Sequence, residues 1–214
     1  MPELPFLDLI RRQLARARGR HDPRARILAN VDGPVSPVLL EMLDQPGREA
    51  SVLLALIERP VGLTVLFTER AAHLKDHAGQ ISLPGGRLAH AGETPVAAAL
   101  REAAEEVGLA SGDVAVLGSL DVHLTGTGFA VTPVVGFVAG PFEPQPDPAE
   151  VASVFEVPLD FILDPLNTRA TYRERFGTRF RTHELSYAGH RIWGATAAML
   201  VTFRDTITYE KTTE

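Results

Sequence analysis

The chain has 214 residues, of which 45% are hydrophobic, and a formal net charge of −6 at pH 7. This size allows one sizeable domain plus an appendage, and the acidic balance argues against nucleic acid as a partner. Cysteine is absent, which excludes a disulfide framework and a thiol nucleophile. Because no apolar run approaches the length of a membrane span and the chain starts without a signal-peptide pattern, we expect a cytoplasmic protein with no membrane partner.

The first predicted element is an amphipathic helix over residues 5–17. Its apolar residues recur at helical spacing and are Phe6, Leu7, Ile10 and Leu14. Arginines are concentrated in residues 11–26. We interpret them as the solvated face of a helix that packs on the domain, with a membrane-surface or polyanion patch as the alternative.

A linker is predicted for residues 19–49, where glycine and proline recur, and it contains one short helix near residues 37–44. From residue 50 onward the pattern changes to strands around a helix. We therefore divide the chain into an N-terminal helix and linker, residues 1–49, that pack on the core, and a main domain, residues 50–214.

Strands are predicted where β-branched and other apolar residues are frequent. The first two, residues 51–57 and 63–68, are joined by a turn at residues 59–62. Two more are predicted over residues 114–122 and 130–138. Together with the helical segments, these strands indicate an α+β fold.

The C-terminal part is predicted to contain a proline-rich loop, a hairpin and a closing helix. The loop covers residues 143–149 and delivers Glu150. The hairpin joins strands at residues 179–187 and 190–193, and the closing helix begins with residues 196–203.

The most informative pattern is a loop and helix over residues 85–109. Thr94 is a candidate N-cap, Pro95 suits the first helical position, and Gly108 suits a left-handed C-terminal cap. The predicted buried stripe of the helix comprises Val96, Ala99, Leu100, Ala103 and Val107. The segment is therefore expected to form a loop, a helix and a second loop.

Three carboxylates share one face of this helix: Glu102, Glu105 and Glu106, at positions i, i+3 and i+4. Like charges at such spacing destabilise a helix by roughly 0.2–0.5 kcal/mol per pair. A bound divalent cation reverses the sign, because hard oxygen ligands suit Mg²⁺ or Mn²⁺. The alternative is an acidic helix face in solvent, which needs no ligand.

The same segment resembles the Nudix box, in which Gly, Glu, Arg-Glu, Glu-Glu and Gly follow at fixed spacing. The matching residues are Glu93, Arg101, Glu102, Glu105, Glu106, Gly108 and Leu109. Six residues separate Gly86 from Glu93, where five are usual, which lengthens the loop. The resemblance implies an α/β/α sandwich with a mixed central sheet, here with an N-terminal helical extension.

Residues 65–86 look like the signature of the coenzyme A pyrophosphatase branch of Nudix hydrolases. The matching residues are Thr68, Arg70, Leu74, His77, Gly79, Gln80, Ser82, Pro84, Gly85 and Gly86. Leu83 departs from the usual Phe, which is a packing change. Shorter pieces of the same resemblance follow within residues 127–136, 150–159 and 192–196.

The resemblance implies a divalent cation, Mg²⁺ or Mn²⁺, at the acidic face of the helix. Glu102 and Glu106, one turn apart, are the expected ligands. Glu105 is expected to join a second metal or a bridging water, and the carbonyl of Gly86 is a further candidate ligand.

Other residues of the resemblance are expected to brace the site or to bind substrate. Glu93 is expected to pair with Arg101 and to hold the loop against the helix, which makes both residues structural. Arg70 is expected to contact phosphate through its planar guanidinium. Gln80 and Gly85 are expected to lie beside the substrate, where glycine lets the backbone approach closely.

The expected general base is Glu150, because this superfamily often uses a loop glutamate beyond the box. Glu105 is a second catalytic candidate, and Glu156 and Glu143 are weaker ones, judged by reach.

A zinc site is an alternative for His73 and His77, which stand at positions i and i+4. The zinc protease pattern has Glu after the first His, where this chain has Leu74. Since no third ligand cluster is visible, we do not expect zinc.

The resemblance implies hydrolysis of coenzyme A (CoA) or its acyl thioesters to 3′,5′-ADP and 4′-phosphopantetheine (or its acylated form). The enzymatic alternative is a pyrophosphatase for ADP-ribose, NADH or a nucleoside triphosphate. A different class is a nucleotide-sensing protein that binds without hydrolysis, although the intact acidic cluster favours catalysis. The expected partner is a small-molecule nucleotide, and the oligomeric state stays open, a homodimer included.

Overall fold

A computed structural model of the protein describes residues 4–17, 19, 22–74 and 78–208. Within these ranges the helices are α1 (Leu4–Ala17), α2 (Pro23–Ala29), α3 (Pro37–Asp44), α4 (Pro95–Val107), α5 (Leu159–Leu163) and α6 (Gly194–Thr208). The strands are β1 (Arg48–Arg59), β2 (Gly62–Arg70), β3 (Ile81–Ser82), β4 (Gly85–Arg87), β5 (Val114–Ser119), β6 (His123–Leu124), β7 (Phe129–Val138), β8 (Val151–Pro158), β9 (Thr168–Arg175), β10 (Thr178–Tyr187) and β11 (His190–Trp193). None of these described helices has the length and apolar character that crossing a membrane requires.

A mixed sheet forms the centre of the fold. Its strands follow the order β3-β2-β1-β7-β5, with β4 paired to β1, β6 to β7 and β8 to β2. Strands β1 and β7 run parallel, whereas the other pairs are antiparallel. The predicted α+β class and mixed sheet are confirmed.

Helices cover both faces of this sheet, because side chains alternate in direction along a strand. On β1, Leu53, Ala55 and Ile57 pack on one face, and Leu54 and Leu56 on the other. The first face meets α4 through Ala99, Ala103 and Val107. The second face meets α1 and α6 through Leu7, Ile10, Leu14, Leu200 and Phe203. Burial on both sides explains why β1 reads as a continuous apolar run.

The N-terminal helix packs with its apolar side inward, as the periodicity of the sequence predicts. Leu7, Ile10 and Leu14 are buried, whereas Arg11 and Arg12 are exposed. The predicted helix near residues 37–44 is also present, as α3.

A second, smaller sheet is antiparallel and has the order β11-β10-β9. The predicted hairpin at its β10–β11 edge is confirmed. Its turn uses Ala188 and Gly189, with φ values of 48° and 86°. The left-handed conformation at the second position suits glycine, which carries no Cβ.

The structure differs from the sequence-based predictions in several elements, and strand β8 is among those not predicted. Helix α2 lies inside the predicted linker, capped by the Asp22 side chain, which accepts from the backbone N–H of Arg24. Its seven residues are too few to show a helical period. Strand β9 is polar and largely exposed, so it lacks the alternation that identifies strands. The strand predicted over residues 114–122 ends at Ser119, beyond a register shift at Gly118.

Candidate active site

The loop and helix predicted over residues 85–109 form β4, a loop and α4. The hydroxyl of Thr94 accepts from the backbone N–H of Ala97 at 3.2 Å, and Pro95 occupies the first helical turn. Gly108 ends the helix in the left-handed region, with φ of 72°. These three predictions are confirmed, and together they fix the axial position of the glutamates on α4.

Arg101 is the centre of an ion-pair network on α4. Its Nε donates to Glu93 at 2.9 Å, and its Nη1 donates to Glu102 at 2.9 Å and to Glu105 at 3.0 Å. The Glu93 carboxylate also accepts from the backbone N–H of Ala89 at 2.6 Å. The hydrogen bond from Arg101 lowers the pKa of Glu93. The pairing expected between Glu93 and Arg101 is therefore present and ties the long loop to the helix.

Glu106 is the buried carboxylate of the cluster, with 3% of its surface exposed. Its Oε2 accepts from the backbone N–H of Gly85 at 3.1 Å, and its Oε1 lies 3.8 Å from Nη1 of Arg70. Burial is the main cause that raises the pKa of Glu106, to about 7, and the negative charges of Glu102 and Glu150 add to it. One backbone N–H and the more distant Arg70 guanidinium thus balance only part of the negative charge of the Glu106 carboxylate.

Glu102 lies one turn before Glu106, against the glycine loop. A Cβ added to Gly86 would lie 2.5 Å from the Glu102 carboxylate, so a larger residue there would displace this carboxylate from its position against the loop. Burial raises the pKa of Glu102, and the charges of Glu105 and Glu150 act in the same direction, while Arg101 opposes them.

The donor set fits a magnesium-like cation that completes its shell with water and substrate oxygens. Within the described residues, no group of three or more carboxylate, imidazole or thiolate side chains is arranged to hold a metal ion unaided. Mg²⁺ commonly binds one or two protein carboxylates together with waters and substrate phosphates. Glu102, Glu106 and the carbonyl of Gly86 are the residues that would hold it in this way.

A cleft of about 1800 Å³ opens in front of these groups. The expected site residues that line it are Arg70, Gln80, Gly85, Gly86, Glu102 and Glu150. The backbone carbonyl of Glu150 accepts a hydrogen bond from the N–H of Ala71 at 2.8 Å. Glu106 does not itself line the cleft but accepts a hydrogen bond from Gly85, which does.

Three expected catalytic candidates do not line the cleft: Glu105, Glu156 and Glu143. The side chain of Glu105 is 59% exposed and pairs with Arg101. Glu156 lies towards the opposite end of the β2–β8 ladder and accepts hydrogen bonds from Arg59 and Thr64. Glu143 is exposed on the loop before β8.

The histidine pair can be described only in part. Nε2 of His73 donates to the carbonyl of Ala149 at 3.1 Å, which ties this loop to the segment before Glu150. His77 lies outside the described residues.

Several cleft residues were not predicted from the sequence. Arg48, Arg87, Arg173 and Arg175 line it, and single arginines at strand ends form no pattern that could identify them. Trp193 and Thr196 also line the cleft, and the resemblance within residues 192–196 was the only signal for them. The hydroxyl of Thr196 donates to the carbonyl of Ile81 at 3.1 Å, which joins α6 to β3 at the cleft wall.

The family match and the relatives identified by sequence indicate one family. Residues 47–180 match the family described as NUDIX domain. The chain is 39% identical over 158 residues to an uncharacterized Nudix hydrolase, NudL, of Photorhabdus laumondii, covering 74% of this chain and 84% of that protein. It is 36% identical over 171 residues to the mitochondrial Nudix hydrolase 15 of Arabidopsis thaliana, covering 77% and 60%. Among solved structures, the MutT protein of Methanosarcina mazei gives a TM-score of 0.49 at 18% identity, covering 78% and 99%.

The chain therefore belongs to the Nudix family. It is a Nudix diphosphatase, an enzyme that hydrolyses nucleoside diphosphate derivatives, and such hydrolases generally use divalent metal ions.

Proposed function

We propose that this enzyme hydrolyses the diphosphate of CoA or acyl-CoA to 3′,5′-ADP and 4′-phosphopantetheine, or its acylated form. The observation that carries the proposal is where the residues of the 65–86 signature lie. Arg70, Gln80 and Ser82 line the same cleft as Glu102 and Glu150, so the signature borders the acidic face of α4. The cleft of about 1800 Å³ is large enough for a ligand longer than a single nucleotide.

The contacts support the following roles. Glu102, Glu106 and the Gly86 carbonyl would bind Mg²⁺ or Mn²⁺, and Glu105 would reach a second metal or a bridging water after leaving Arg101. When bound, the cation supplies charge neutralisation at the phosphate oxygens and lowers the pKa of the attacking water.

The remaining residues would position substrate and move a proton. Glu150 faces Glu102 and Glu106 closely enough to raise the pKa of both, which suits a base that takes a proton from water. Arg70 would bind a phosphate oxygen, with Gln80 beside it. Gly85 would keep the loop backbone close to the diphosphate.

A substrate panel with Mg²⁺ and Mn²⁺, with products read by mass, tests this proposal. CoA should be turned over with a kcat/KM at least about tenfold above that for ADP-ribose, which corresponds to about 1.4 kcal/mol. NADH and dGTP should likewise be turned over with a far lower kcat/KM than CoA. A higher value for ADP-ribose would assign the enzyme to another Nudix branch. The cytoplasmic location and a homodimeric state stay predictions that fractionation and sedimentation can check.

A further inference from the structure

The arginines of this protein differ in whether a carboxylate neutralises them. Arg59, Arg101, Arg169 and Arg191 form close ion pairs. Over the described ranges, the arginines that form no ion pair are Arg12, Arg48, Arg87, Arg173, Arg175 and Arg181. All of these except Arg12 line the active-site cleft.

This distribution concentrates uncompensated positive charge in one place on a chain whose net charge is −6. Carboxylates, Glu102 and Glu150 among them, also line the cleft, so the attraction for anions is local to the arginines. Guanidinium groups match phosphate oxygens with paired donors. The wall of the cleft is therefore suited to more negative charge than one diphosphate carries.

Two of these arginines are held on one aromatic ring. The guanidinium carbon of Arg48 lies 4.1 Å from the centroid of the Phe129 ring, and that of Arg87 lies 5.2 Å from it. Nη2 of Arg48 also donates to the carbonyl of Thr127 at 3.0 Å. Cation–π contacts restrict both side chains without neutralising them. Such restriction lowers the entropy lost when an anion binds.

The pair lies next to the diphosphate site. Arg87 follows Gly86, whose backbone approaches the Glu102 carboxylate, and consecutive Cα atoms are only about 3.8 Å apart. Arg48 begins β1, which pairs with β4 at Ala50 and Arg87 and with β7 at Phe129. The ladder thus brings the two arginines and the ring to one edge of the glycine loop.

We propose that Arg48 and Arg87, held on Phe129, bind a second phosphate group of the substrate, one that is not cleaved. The inference rests on the proposed function, because CoA carries a 3′-phosphate one ribose away from its diphosphate. ADP-ribose and dephospho-CoA lack this group. The pair would therefore determine substrate choice and take no part in the hydrolysis itself.

The other uncompensated arginines that line the cleft lie on the smaller sheet. Arg173 and Arg175 lie on β9, and Arg173 is stacked on Trp193 at 4.2 Å. Arg181 lies on β10, and the Arg175 guanidinium lies against Gly126 in the turn between β6 and β7. We assign these three arginines a general attraction for anions.

Kinetics on a matched pair of substrates test the proposal. Arg48→Ala/Arg87→Ala should lower kcat/KM for CoA by roughly 10- to 100-fold, mainly through KM, as loss of charge-assisted hydrogen bonds predicts. The same variant should change kcat/KM for dephospho-CoA by less than about twofold. Arg12→Ala, which removes an unpaired arginine outside the cleft, should leave both substrates unchanged. An equal loss on both substrates, or no loss on either, would overturn the subsite.

A binding experiment separates failure of the subsite from failure of the proposed function. By calorimetry with Mg²⁺, the wild-type protein should bind 3′,5′-ADP at least about tenfold more tightly than 5′-AMP, and the double variant should bind the two alike. If CoA is not hydrolysed but this difference is present, the proposed function fails and the subsite stands. If the wild-type protein binds both nucleotides equally, the subsite fails whatever the substrate panel gives.

Discussion

The two ends of the β2–β8 ladder each place an arginine beside a partly or fully buried glutamate, but they balance charge differently. Near one end, Glu156 accepts from Nε of Arg59 at 3.0 Å, from its Nη2 at 2.5 Å and from the hydroxyl of Thr64 at 2.5 Å. Near the other end, Glu106 accepts from one backbone N–H at 3.1 Å and lies 3.8 Å from Arg70.

The consequence is visible in opposite pKa shifts. Burial opposes ionisation of Glu156, but the hydrogen bonds from Arg59 and Thr64 outweigh it and lower its pKa. Burial of Glu106 is not offset in this way, and its pKa rises to about 7. A balanced pair is expected to stabilise the fold, whereas a cluster of unbalanced carboxylates favours binding of a cation. The same residue types are thus expected to serve stability at one end and cation binding at the other.

The largest expected effect is that of Glu106→Gln. Removing a charged ligand should lower turnover by ~10²-fold or more, beyond the usual loss for an outer-shell partner. The fold should be preserved, because Gln retains an acceptor for the N–H of Gly85. Steady-state kinetics at saturating Mg²⁺, with circular dichroism as the check on folding, measure this. Near-normal activity would remove Glu106 from the metal site.

Glu150→Gln comes next. Loss of the base should lower kcat by about 10²-fold, the lower end of what general base catalysis contributes. The binding of Mn²⁺ should change little, because Glu150 is not among the expected ligands. Kinetics and a Mn²⁺ titration on the same preparation distinguish the two effects. A variant that retains kcat would transfer the role of base to another group, with Glu105 the next candidate.

Arg70→Ala should act on substrate and leave the metal affinity unchanged. A lost charge-assisted hydrogen bond costs about 1.5–3 kcal/mol, which corresponds to roughly 10- to 100-fold in kcat/KM for CoA. The comparison of kcat/KM with the Mn²⁺ dissociation constant is the measurement. Unaltered CoA kinetics would show that Arg70 does not contact substrate.

At the balanced end, Glu156→Gln should destabilise the fold without altering kcat. Breaking a buried ion pair costs about 3–5 kcal/mol, and the 20% exposure of both side chains argues for a smaller loss of about 2–3 kcal/mol. Urea unfolding in EDTA measures the change. A large loss of activity in a folded Glu156→Gln protein would contradict the division between the two ends.

The two ends should also respond to pH with opposite sign. Because the folded pKa of Glu156 is lowered, its stabilisation is present above its ordinary value of 4.5 and is lost as pH falls through the folded pKa. Because the folded pKa of Glu106 is raised to about 7, folding becomes less favourable as pH rises from 4.5 to about 7. In EDTA, each Gln variant should remove its own part of the stability profile, and an unchanged profile would contradict the assignment.

The sequence predicts the carboxylate cluster around Glu106 better than the ion pair between Arg59 and Glu156. The spacing of Glu102 and Glu106 on one helix face is a local pattern, and the caps at Thr94 and Gly108 fix that helix locally. The contact between Arg59 and Glu156 joins residues 97 positions apart, so only strand pairing brings them together. Arg48 and Arg87 could not be identified from the sequence for the same reason, because only the pairing of β1 with β4 and β7 brings them together at Phe129.

Exposure explains what was missed in the fold. Strand β1 is buried on both faces and its apolar run was recognised, although the strand continues to Arg59. Strand β9 shows mostly polar, exposed residues, and its place is set by hydrogen bonding to β10. Patterns of burial therefore identify the long strands β1, β2 and β7 and the β10–β11 hairpin, and give no signal for β9.

The most direct test of the account is the melting temperature as Mn²⁺ is added to metal-free wild-type, Glu106→Gln and Glu156→Gln proteins. At ~100 times its dissociation constant, the ion should raise the wild-type midpoint by about 5–10 °C. Glu156→Gln should start lower and rise by the same amount, whereas Glu106→Gln should start at or above the wild type and stay unchanged. An equal rise in Glu106→Gln, or no rise in Glu156→Gln, would contradict the claim that only one end of the ladder is built to bind a cation.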